Sequence, residues 1–330
     1  MRVLVTGAAG RIGRNLCDAL LEQGASVRGV ALPDDAGAER IRAAGVEVLT
    51  GNLRDPELCA RAVDGVDAIM HLGAMLLFGK DEYNPVLLED NHRATFNLLQ
   101  AAAVAKRPLQ RFVFASSDEV YPSLEAKYLP IDEEHPKNPY SFYGVTKLMS
   151  EDLVWFYQRA HNIPGAVARF SLTIEPWEAL DPTRPLGGFL HRSSMLGFIR
   201  ARNGDAAADA VAAIAPAGEE ALIVPRDEHG ASWFFHFSDV RDLVSGLLCL
   251  LHSPGAVGNA FNLAGPSAFA FDQAVPYLAK LTGMPVVDVR IPGPALRISI
   301  STAKARLLTG YAPQHDIFAT FDTALAGRGK

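Results

Sequence analysis

The sequence has few cysteines and lacks long apolar runs. Its three cysteines, Cys17, Cys59 and Cys249, are scattered without Cys-x-x-Cys spacing, which argues against a disulfide framework and against a zinc site. Its apolar stretches fall short of the roughly 18 residues that a membrane span requires. The first stretch, residues 3–5, runs directly into a glycine loop, which is typical of a strand and not of a signal peptide. We therefore expect a cytoplasmic protein without a membrane partner or a bound metal.

Clusters of basic residues are also missing. The chain of 330 residues carries a formal net charge of −6, and 21% of its residues are charged. A negatively charged protein without a basic run is not expected to bind nucleic acid. The hydrophobic fraction of 49% and the length suffice for one large domain and a smaller lobe.

Short apolar runs alternate with helical patterns in the first half of the chain. Such alternation predicts parallel strands joined by right-handed crossovers. The expected fold is α/β, a Rossmann-type doubly wound parallel sheet with a smaller C-terminal substrate lobe. Sheets of this kind bind ligands at the carboxyl ends of their strands. The predicted strands are 2–5, 26–31, 46–49, 68–72, 111–115 and 165–170, and the predicted helices are 11–23, 37–44, 56–63, 89–106 and 143–161.

A glycine loop, TGAAGRIG, follows the first predicted strand and opens a helix. Gly7 allows the tight turn, Gly10 lets a pyrophosphate approach the backbone, and Gly13 lets the helix pack closely on the strand. The amides at the helix start, around Arg11 and Ile12, carry a partial positive charge that suits phosphates. Between a strand and a helix, this spacing predicts a dinucleotide site.

The residues near the cofactor's adenosine favour NAD and leave NADP open. An acid at the end of the second strand would bind a ribose 2′-hydroxyl, and Asp34 and Asp35 lie slightly beyond that end. No arginine stands there to meet a 2′-phosphate, although Arg11 could reach one. Asn52, followed by Leu53, comes after the third strand, where it either meets the adenine edge or caps a turn.

The strand–helix alternation ends near residue 171. We predict an NAD(P)-binding Rossmann domain over 1–170 and a substrate-binding lobe over 171–330. Segments between 233 and 263 are expected to return to the first domain, through the apolar runs 233–237 and 260–263.

An alanine-rich segment over 205–220 does not resemble core sequence. Two interpretations are open, a surface loop and an active-site lid.

A tyrosine and a lysine four residues apart form the strongest catalytic pattern. Tyr143 and Lys147 share one face of a predicted helix. The ammonium favours the phenolate and is expected to lower the pKa of the tyrosine. Such a tyrosine can take the proton of a substrate alcohol while hydride leaves for nicotinamide. Ser117 ends the preceding strand, where its hydroxyl can hold the same substrate oxygen.

Together these motifs resemble those of the extended short-chain dehydrogenase/reductases, the sugar-nucleotide epimerase and dehydratase group. The resemblance covers nearly the whole chain, and it implies further cofactor contacts from Leu72, Gly73, Ala74 and Asn91. The motifs that carry it are TGAAGRIG, HLGA at 71–74, NHRATFNLLQAA around Asn91, PYSFYGVTKLMSE around Tyr143, WFFHFSDVRD at 233–242 and FNLAGP at 261–266.

The segment SSDEVY over 116–121 is similar to the STDEVYG of dTDP-glucose 4,6-dehydratases. In that group an aspartic acid protonates the departing hydroxyl, and a glutamate removes a proton beside the new ketone. By position, Asp118 and Glu119 would be this acid and base, although members that dehydrate nothing also carry acids here. The chain departs from nucleotide-sugar members at Ser232 and Trp233, where those members carry an arginine. The departure argues against a nucleotide-linked substrate.

Three functions remain open. The first is an NAD(P)-dependent enzyme that oxidises a sugar-like alcohol to a ketone and then epimerises or dehydrates it. The second is a simple dehydrogenase or ketoreductase acting on a non-nucleotide substrate. The third is a non-catalytic NAD(P)-sensing regulator, against which Ser117, Tyr143 and Lys147 argue because a sensor needs no proton relay. The resemblance also implies a homodimer, formed through the helices near 91–106 and 143–161.

Overall fold

The protein is described by a computed structural model over residues 1–77, 83–184, 189–214 and 220–327. The strands, in chain order, are β1 (Arg2–Thr6), β2 (Ser26–Ala31), β3 (Glu47–Thr50), β4 (Ala68–His71), β5 (Arg111–Ser117), β6 (Gly165–Phe170), β7 (Thr173–Ile174), β8 (Leu222–Arg226), β9 (Phe234–Phe235), β10 (Ser238–Asp239), β11 (Asn259–Leu263), β12 (Phe269–Ala270) and β13 (Val286–Arg290).

The helices pack around these strands. In chain order they are α1 (Arg11–Glu22), α2 (Gly37–Ala43), α3 (Pro56–Val63), α4 (Ala94–Ala103), α5 (Phe142–His161), α6 (Arg192–Asn203), α7 (Asp205–Ile214), α8 (Val240–His252), α9 (Phe271–Thr282), α10 (Ala303–Thr309) and α11 (Ile317–Gly327). A π-helical turn over Leu88–Arg93 runs into α4. Within the described ranges, no helix has the length and apolar character needed to cross a bilayer.

One large parallel sheet organises the described part of the chain. It contains seven strands there, in the order β3-β2-β1-β4-β5-β6-β11. The chain switches from one side of the sheet to the other between β1 and β4, so that Thr6 and His71 lie opposite each other at the carboxyl ends of these strands. Doubly wound sheets bind ligands at such a switch point. The predicted fold class is confirmed, and the strands and helices expected in the first half lie within a few residues of their predicted bounds.

Helices cover both faces of this sheet. One apolar cluster joins α1, α2 and α8 to one face, and a second joins α3, α4 and α5 to the other. Because both faces are covered, all seven residues of β5 are buried, as is usual for a central parallel strand. Polar groups at the end of β5 therefore lie where little water reaches them.

A third apolar cluster forms the core of the C-terminal lobe. Among the described residues, the lobe contains the strand pairs β8–β13, β9–β12 and β7–β10, and α6, α7, α9 and α11 contribute to its core. Aromatic rings fill its centre. The Phe235 and Phe237 rings lie 4.8 Å apart, and those of Phe237 and Phe269 lie 5.0 Å apart.

The alanine-rich segment is a helix over Asp205–Ile214, so the loop interpretation is wrong there. Ala208 and Val211 are fully buried in the lobe core. Alanine is the best helix former, and small side chains three apart on one face allow this helix to pack closely against its neighbours. Residues 215–219 lie outside the described residues.

We expected the run 233–237 to return to the large sheet, but it does not. Phe234 and Phe235 pair with β12, and their neighbours Trp233 and Phe237 are buried in the lobe core. A continuous aromatic run is apolar on both faces of a strand, so it suits the interior of the lobe as well as the interior of a sheet. The second run does return, because β11 pairs with β6 at the edge of the large sheet.

Candidate active site

The glycine loop lies at the switch point of the sheet. Gly7 has a φ of +62°, and a Cβ there would lie 2.9 Å from the Cα of Gly73. A Cβ at Gly13 would lie 2.1 Å from the carbonyl oxygen of Gly7, so only glycine allows α1 to approach β1 this closely. Gly10 is the N-cap of α1 and has no side chain to cap its first turn. Ile12 packs against the adjacent core. The first-turn amides thus face an anion-binding position.

The side chain of Arg11 points away from the position where it was expected. Its guanidinium donates to Oε1 of Glu178, from Nε at 3.1 Å and Nη2 at 2.7 Å, and to the Thr173 carbonyl at 2.8 Å. Thr173 follows β6, whereas β2 lies on the other side of β1. Arg11 therefore does not reach a 2′-phosphate near β2. Together with the bond from Asn15 Nδ2 to Glu175 at 2.7 Å, it links the start of α1 to the lobe.

A chain of hydrogen bonds through His71 holds the end of β4. Thr95 donates to the Asn91 carbonyl at 2.6 Å, so its oxygen accepts from Nε2 of His71 at 3.0 Å. The other ring nitrogen, Nδ1, then accepts from the Thr6 hydroxyl at 2.7 Å, and this hydroxyl accepts from the Gly73 amide at 3.0 Å. Every donor in this series of hydrogen bonds has one acceptor. The imidazole of His71 is therefore neutral, with its proton on Nε2.

Asn91 is held by protein partners. Its Oδ1 accepts from the Met75 amide at 2.7 Å, and its Nδ2 donates to the Met75 carbonyl at 2.9 Å and to Thr146 Oγ1 at 3.1 Å. The side chain therefore fixes the segment that follows β4, including residues 72–74, relative to α5. Leu72 and Gly73 are half-buried and Ala74 is exposed.

Asn52 caps a turn in the structure. Its Oδ1 accepts from the Arg54 amide at 2.8 Å, and its Nδ2 donates to Asp90 at 3.1 Å. Leu53 is buried in the core beneath β3. The turn-capping interpretation of Asn52 is thus the one that its contacts support.

The tyrosine, the lysine and the serine meet at the end of β5. Lys147 is buried, and its Nζ donates to the Ala115 carbonyl at 2.8 Å. The same Nζ lies 5.4 Å from the centre of the Tyr143 ring. Ser117 is the last residue of β5, two residues beyond Ala115. The helix α5 and the strand β5 therefore bring the three predicted residues to one place.

The two acids follow in a single 3-10 turn over Asp118–Val120. Ser117 Oγ donates to Asp118 Oδ1 at 3.3 Å and accepts from the Glu119 amide at 3.2 Å, and Ser141 Oγ donates to the Glu119 carboxylate. A Cβ at Gly144 would lie 2.3 Å from the Glu119 carbonyl oxygen. This glycine, directly after Tyr143, lets α5 approach the turn, and sequence reasoning missed its role.

Burial dominates the electrostatics of the site. It raises the pKa of Asp118 to about 7, with the charge of Glu119 adding to the effect. Burial and the carboxylates of Glu119 and Asp118 also raise the pKa of Tyr143 above its ordinary value. Burial lowers the pKa of Lys147 to about 7 although the charge of Glu151 opposes this. The pKa of Tyr143 is therefore raised and not lowered as expected in the protein alone, because desolvation and the two neighbouring carboxylates disfavour the phenolate.

A buried ion pair behind the site was also missed. Glu151 and Arg169 are nearly inaccessible to solvent, and Arg169 Nη2 donates to Glu151 Oε2 at 2.7 Å. Glu151 lies four residues after Lys147 on the same face of α5. This spacing was the signal in the sequence that Glu151 lies near the site. Ser116 and Tyr121 bond to the same pair.

Comparison with known proteins places this site in a family. A sequence profile of the NAD dependent epimerase/dehydratase family matches residues 3–192. The chain belongs to this family. A family member need not catalyse the same reaction as its relatives, so the family alone does not decide the substrate.

Several relatives match over different lengths. A short-chain dehydrogenase/reductase superfamily protein from Agrobacterium tumefaciens, solved with bound NAD, is 34% identical, with a TM-score of 0.90 and coverage of 100% of this chain and 97% of that one. A putative UDP-glucose 4-epimerase from Methanocaldococcus jannaschii is 34% identical over 51% of this chain and 55% of its own. The uncharacterized UDP-glucose epimerase YtcB of Bacillus subtilis is 27% identical over 95% of this chain and 93% of its own. The match thus spans about half of the first curated relative and most of the second.

The neutral state of His71 predicts a pH-dependent stability. Burial, with a smaller contribution from Lys147, lowers the pKa of His71 to about 3. The unfolded chain has an ordinary histidine pKa of about 6.5, so it binds the proton first as the pH falls. The contribution of neutral His71 to the free energy of unfolding is therefore complete above pH ~6.5. It is lost as the pH falls towards ~3, with a slope of up to about 1.4 kcal/mol per pH unit.

We expect His71→Gln to unfold with a shallower pH dependence between pH ~4.5 and ~6.5, measured as free energies from urea unfolding at several pH values. His229→Gln is the control, since its side chain is 83% exposed. Equal slopes for wild type and His71→Gln would contradict the neutral, buried assignment.

Proposed function

We propose that this protein oxidises a sugar-like alcohol to a ketone with bound NAD and then epimerises or dehydrates the product. One observation carries the proposal. Tyr143, Lys147 and Ser117 lie together with two carboxylates at the carboxyl end of β5, and Lys147 is close enough to His71 at the switch point to affect its pKa. A site with an alcohol base and separate acids suits a reaction that moves both a hydride and a proton.

The glycine loop fits a dinucleotide. The backbone at Gly7 and Gly13 leaves no room for a side chain, whereas a Cβ at Gly10 would lie 3.3 Å from the Gly7 carbonyl oxygen. The start of α1 offers its amides to phosphates. Beyond β2, Asp35 accepts from the Gly37 amide at 2.9 Å, which keeps acidic groups near the expected ribose. NAD is favoured over NADP because Arg11 is held at the lobe.

The chain's own residues supply the proton chemistry. Bound NAD supplies the hydride acceptor and, in its oxidised form, a positive charge that favours the Tyr143 phenolate. Tyr143 takes the proton from the substrate hydroxyl as the carbon–hydrogen bond breaks, and Ser117 holds the same oxygen. Lys147 keeps a positive charge beside the phenolate when it is protonated.

The two acids suit a second step. With its pKa raised to about 7, Asp118 carries a proton near neutral pH and can give it to a departing hydroxyl. Glu119, held by Ser141, can remove the proton beside the ketone. We assign these roles as part of the proposal.

A simple dehydrogenase acting on a sugar without a nucleotide is the second candidate. The observation in its favour is the pair Ser232 and Trp233. Trp233 is 2% exposed within the lobe core, and Ser232 Oγ accepts from the Asp272 amide at 3.1 Å. These two residues present no cation to a diphosphate.

The remaining assignments are also proposals. We propose that residues 1–170 bind the cofactor and that 171–330 bind the substrate, apart from the segments before residue 263 that return to the sheet. A cytoplasmic location is supported by the three free cysteines. A homodimer through α4 and α5 is supported by the exposed apolar residues Phe96, Met149 and Phe156.

A substrate screen with a matched variant tests the function. Sugars, uronates and nucleotide sugars are incubated with wild type and Tyr143→Phe, and the bound cofactor is identified by mass spectrometry. Tyr143→Phe should bind NAD normally but lose turnover by roughly 100- to 10,000-fold, as is typical of a proton-transfer group. Lys147→Met should also move the pH profile to higher pH, because the phenolate loses a positive neighbour. Wild-type turnover in either variant would refute the assignment.

Glu119→Gln separates the two candidate reactions. If Glu119 moves a proton beside a ketone, the variant should still oxidise the substrate, and reduced cofactor should accumulate on the enzyme in a single turnover. Wild type in deuterium oxide should then incorporate deuterium into the product. Full turnover by Glu119→Gln, with no deuterium incorporated by wild type, would remove the dehydration and epimerisation mechanisms that rely on Glu119 and favour the simple dehydrogenase.

The dimer is tested by sedimentation. Phe156 is 51% exposed on α5, and a charge at a buried interface is costly, so Phe156→Glu should convert a dimer into a monomer. Leu307→Glu is the control, because Leu307 is 83% exposed on α10, outside the proposed interface. A wild-type protein that sediments as a monomer at micromolar concentration would reject the proposal.

A further inference from the structure

The buried ion pair of Glu151 and Arg169 contacts both ends of the turn that carries the acids. At the near end, Ser116 Oγ donates to Glu151 Oε1 at 2.6 Å. At the far end, Arg169 Nη1 donates to the Tyr121 hydroxyl at 2.6 Å. The segment between Ser116 and Tyr121 contains Ser117, Asp118 and Glu119, the residues proposed to act on the substrate.

Each nitrogen of the Arg169 guanidinium donates within this network. Arg169 donates to Glu151 from Nε at 2.9 Å and from Nη2 at 2.7 Å, while Nη1 is taken by Tyr121. The Tyr121 hydroxyl donates in turn to Asn262 Oδ1 at 2.8 Å, and Asn262 Nδ2 donates to the Ile131 carbonyl at 3.2 Å. The chain of bonds therefore runs from α5 through β6 to β11.

Stability alone does not account for this arrangement. Glu151 and Tyr121 are fully buried and Arg169 is 2% exposed. Desolvation of such a pair offsets most of the attraction between its charges, so apolar side chains of similar volume would stabilise the fold as well. What apolar side chains would not provide is direction, because each hydrogen bond fixes a partner at one distance and angle.

The turn depends on such anchors. Within the turn, the Tyr121 amide donates to the Asp118 carbonyl at 3.0 Å. Ser117 and Ser141 bond to the side chains of Asp118 and Glu119, so the ends of the segment position the backbone of the turn as a whole. A catalytic group displaced by about 1 Å can lose roughly 100-fold in rate, so the anchors matter to the reaction.

We propose that the Glu151–Arg169 pair is a positioning device that fixes Ser116 and Tyr121 and so holds Asp118 and Glu119 beside Tyr143. Glu151, Arg169 and Tyr121 are positioning residues, since they act through the turn. The expected effect on turnover rests on the proposed function, whereas the expected effect on the rigidity of the turn does not.

Tyr121→Phe tests the far anchor, since it removes one hydroxyl and keeps the ring. Amide hydrogen exchange over residues 118–121 should become at least about tenfold faster. The turnover number should fall about 10- to 100-fold, while the dissociation constant for NAD stays within about twofold.

Tyr311→Phe is the matched control. Tyr311 is also buried, and its hydroxyl donates to the Ala264 carbonyl at 2.7 Å. It should lower the melting temperature by a similar amount yet leave both the exchange of residues 118–121 and the turnover unchanged. Ser116→Ala tests the near anchor independently, and it replaces Tyr121→Phe if that variant does not fold.

Each outcome of these experiments either supports or rejects the proposal. Equal exchange over 118–121 in Tyr121→Phe and Tyr311→Phe would show that the pair does not fix the turn. Faster exchange with unchanged turnover would show that the turn needs no positioning. If wild type turns over no sugar, the proposed function fails, and the exchange experiment alone still accepts or rejects the mechanical anchor.

Discussion

The site depends on close contact between backbones, and glycine makes each contact possible. At Gly13 the helix α1 rests on the carbonyl of Gly7, at Gly7 the loop meets the segment after β4, and at Gly144 the helix α5 meets the acid-bearing turn. A single methyl group at any of these points would overlap a backbone atom. The glycine loop, the end of β4 and the helix α5 are thus held at fixed distances by steric limits, before any hydrogen bond contributes.

Burial then sets the chemistry of the groups that these contacts bring together. The strands are covered on both faces, so their carboxyl ends present polar groups to a region with little water. There the charged forms of isolated groups are disfavoured. Burial raises the pKa of Asp118 to about 7, and it lowers the pKa of Lys147 to about 7 and that of His71 to about 3. The same burial makes the hydrogen bonds of His71 and of the Glu151–Arg169 pair necessary, because an unpaired polar group would be costly in such surroundings.

Much of the fold and part of the candidate site could be predicted from the sequence, because they follow local patterns. Strand–helix alternation, the spacing of Gly7, Gly10 and Gly13, and the four-residue interval between Tyr143 and Lys147 are each contained in a short segment. The rest depends on partners far away in the chain. Arg11 turns towards Glu178, Asn91 binds Met75 and Thr146, and Arg169 pairs with Glu151. The helix over Asp205–Ile214 was missed because its alanines gain from packing that only the folded lobe provides. The pKa of Tyr143 was misjudged because charge is visible in a sequence and desolvation is not.

The bonds from Arg11 and Asn15 to Glu178 and Glu175 bear on how such proteins can be recombined. Here both carboxylates are buried against the first turns of α1. A chimaera that keeps this lobe but takes α1 from a relative without matching cations would bury two uncompensated carboxylates at the junction. The first turns of α1 and residues 173–178 therefore have to be transferred as one unit.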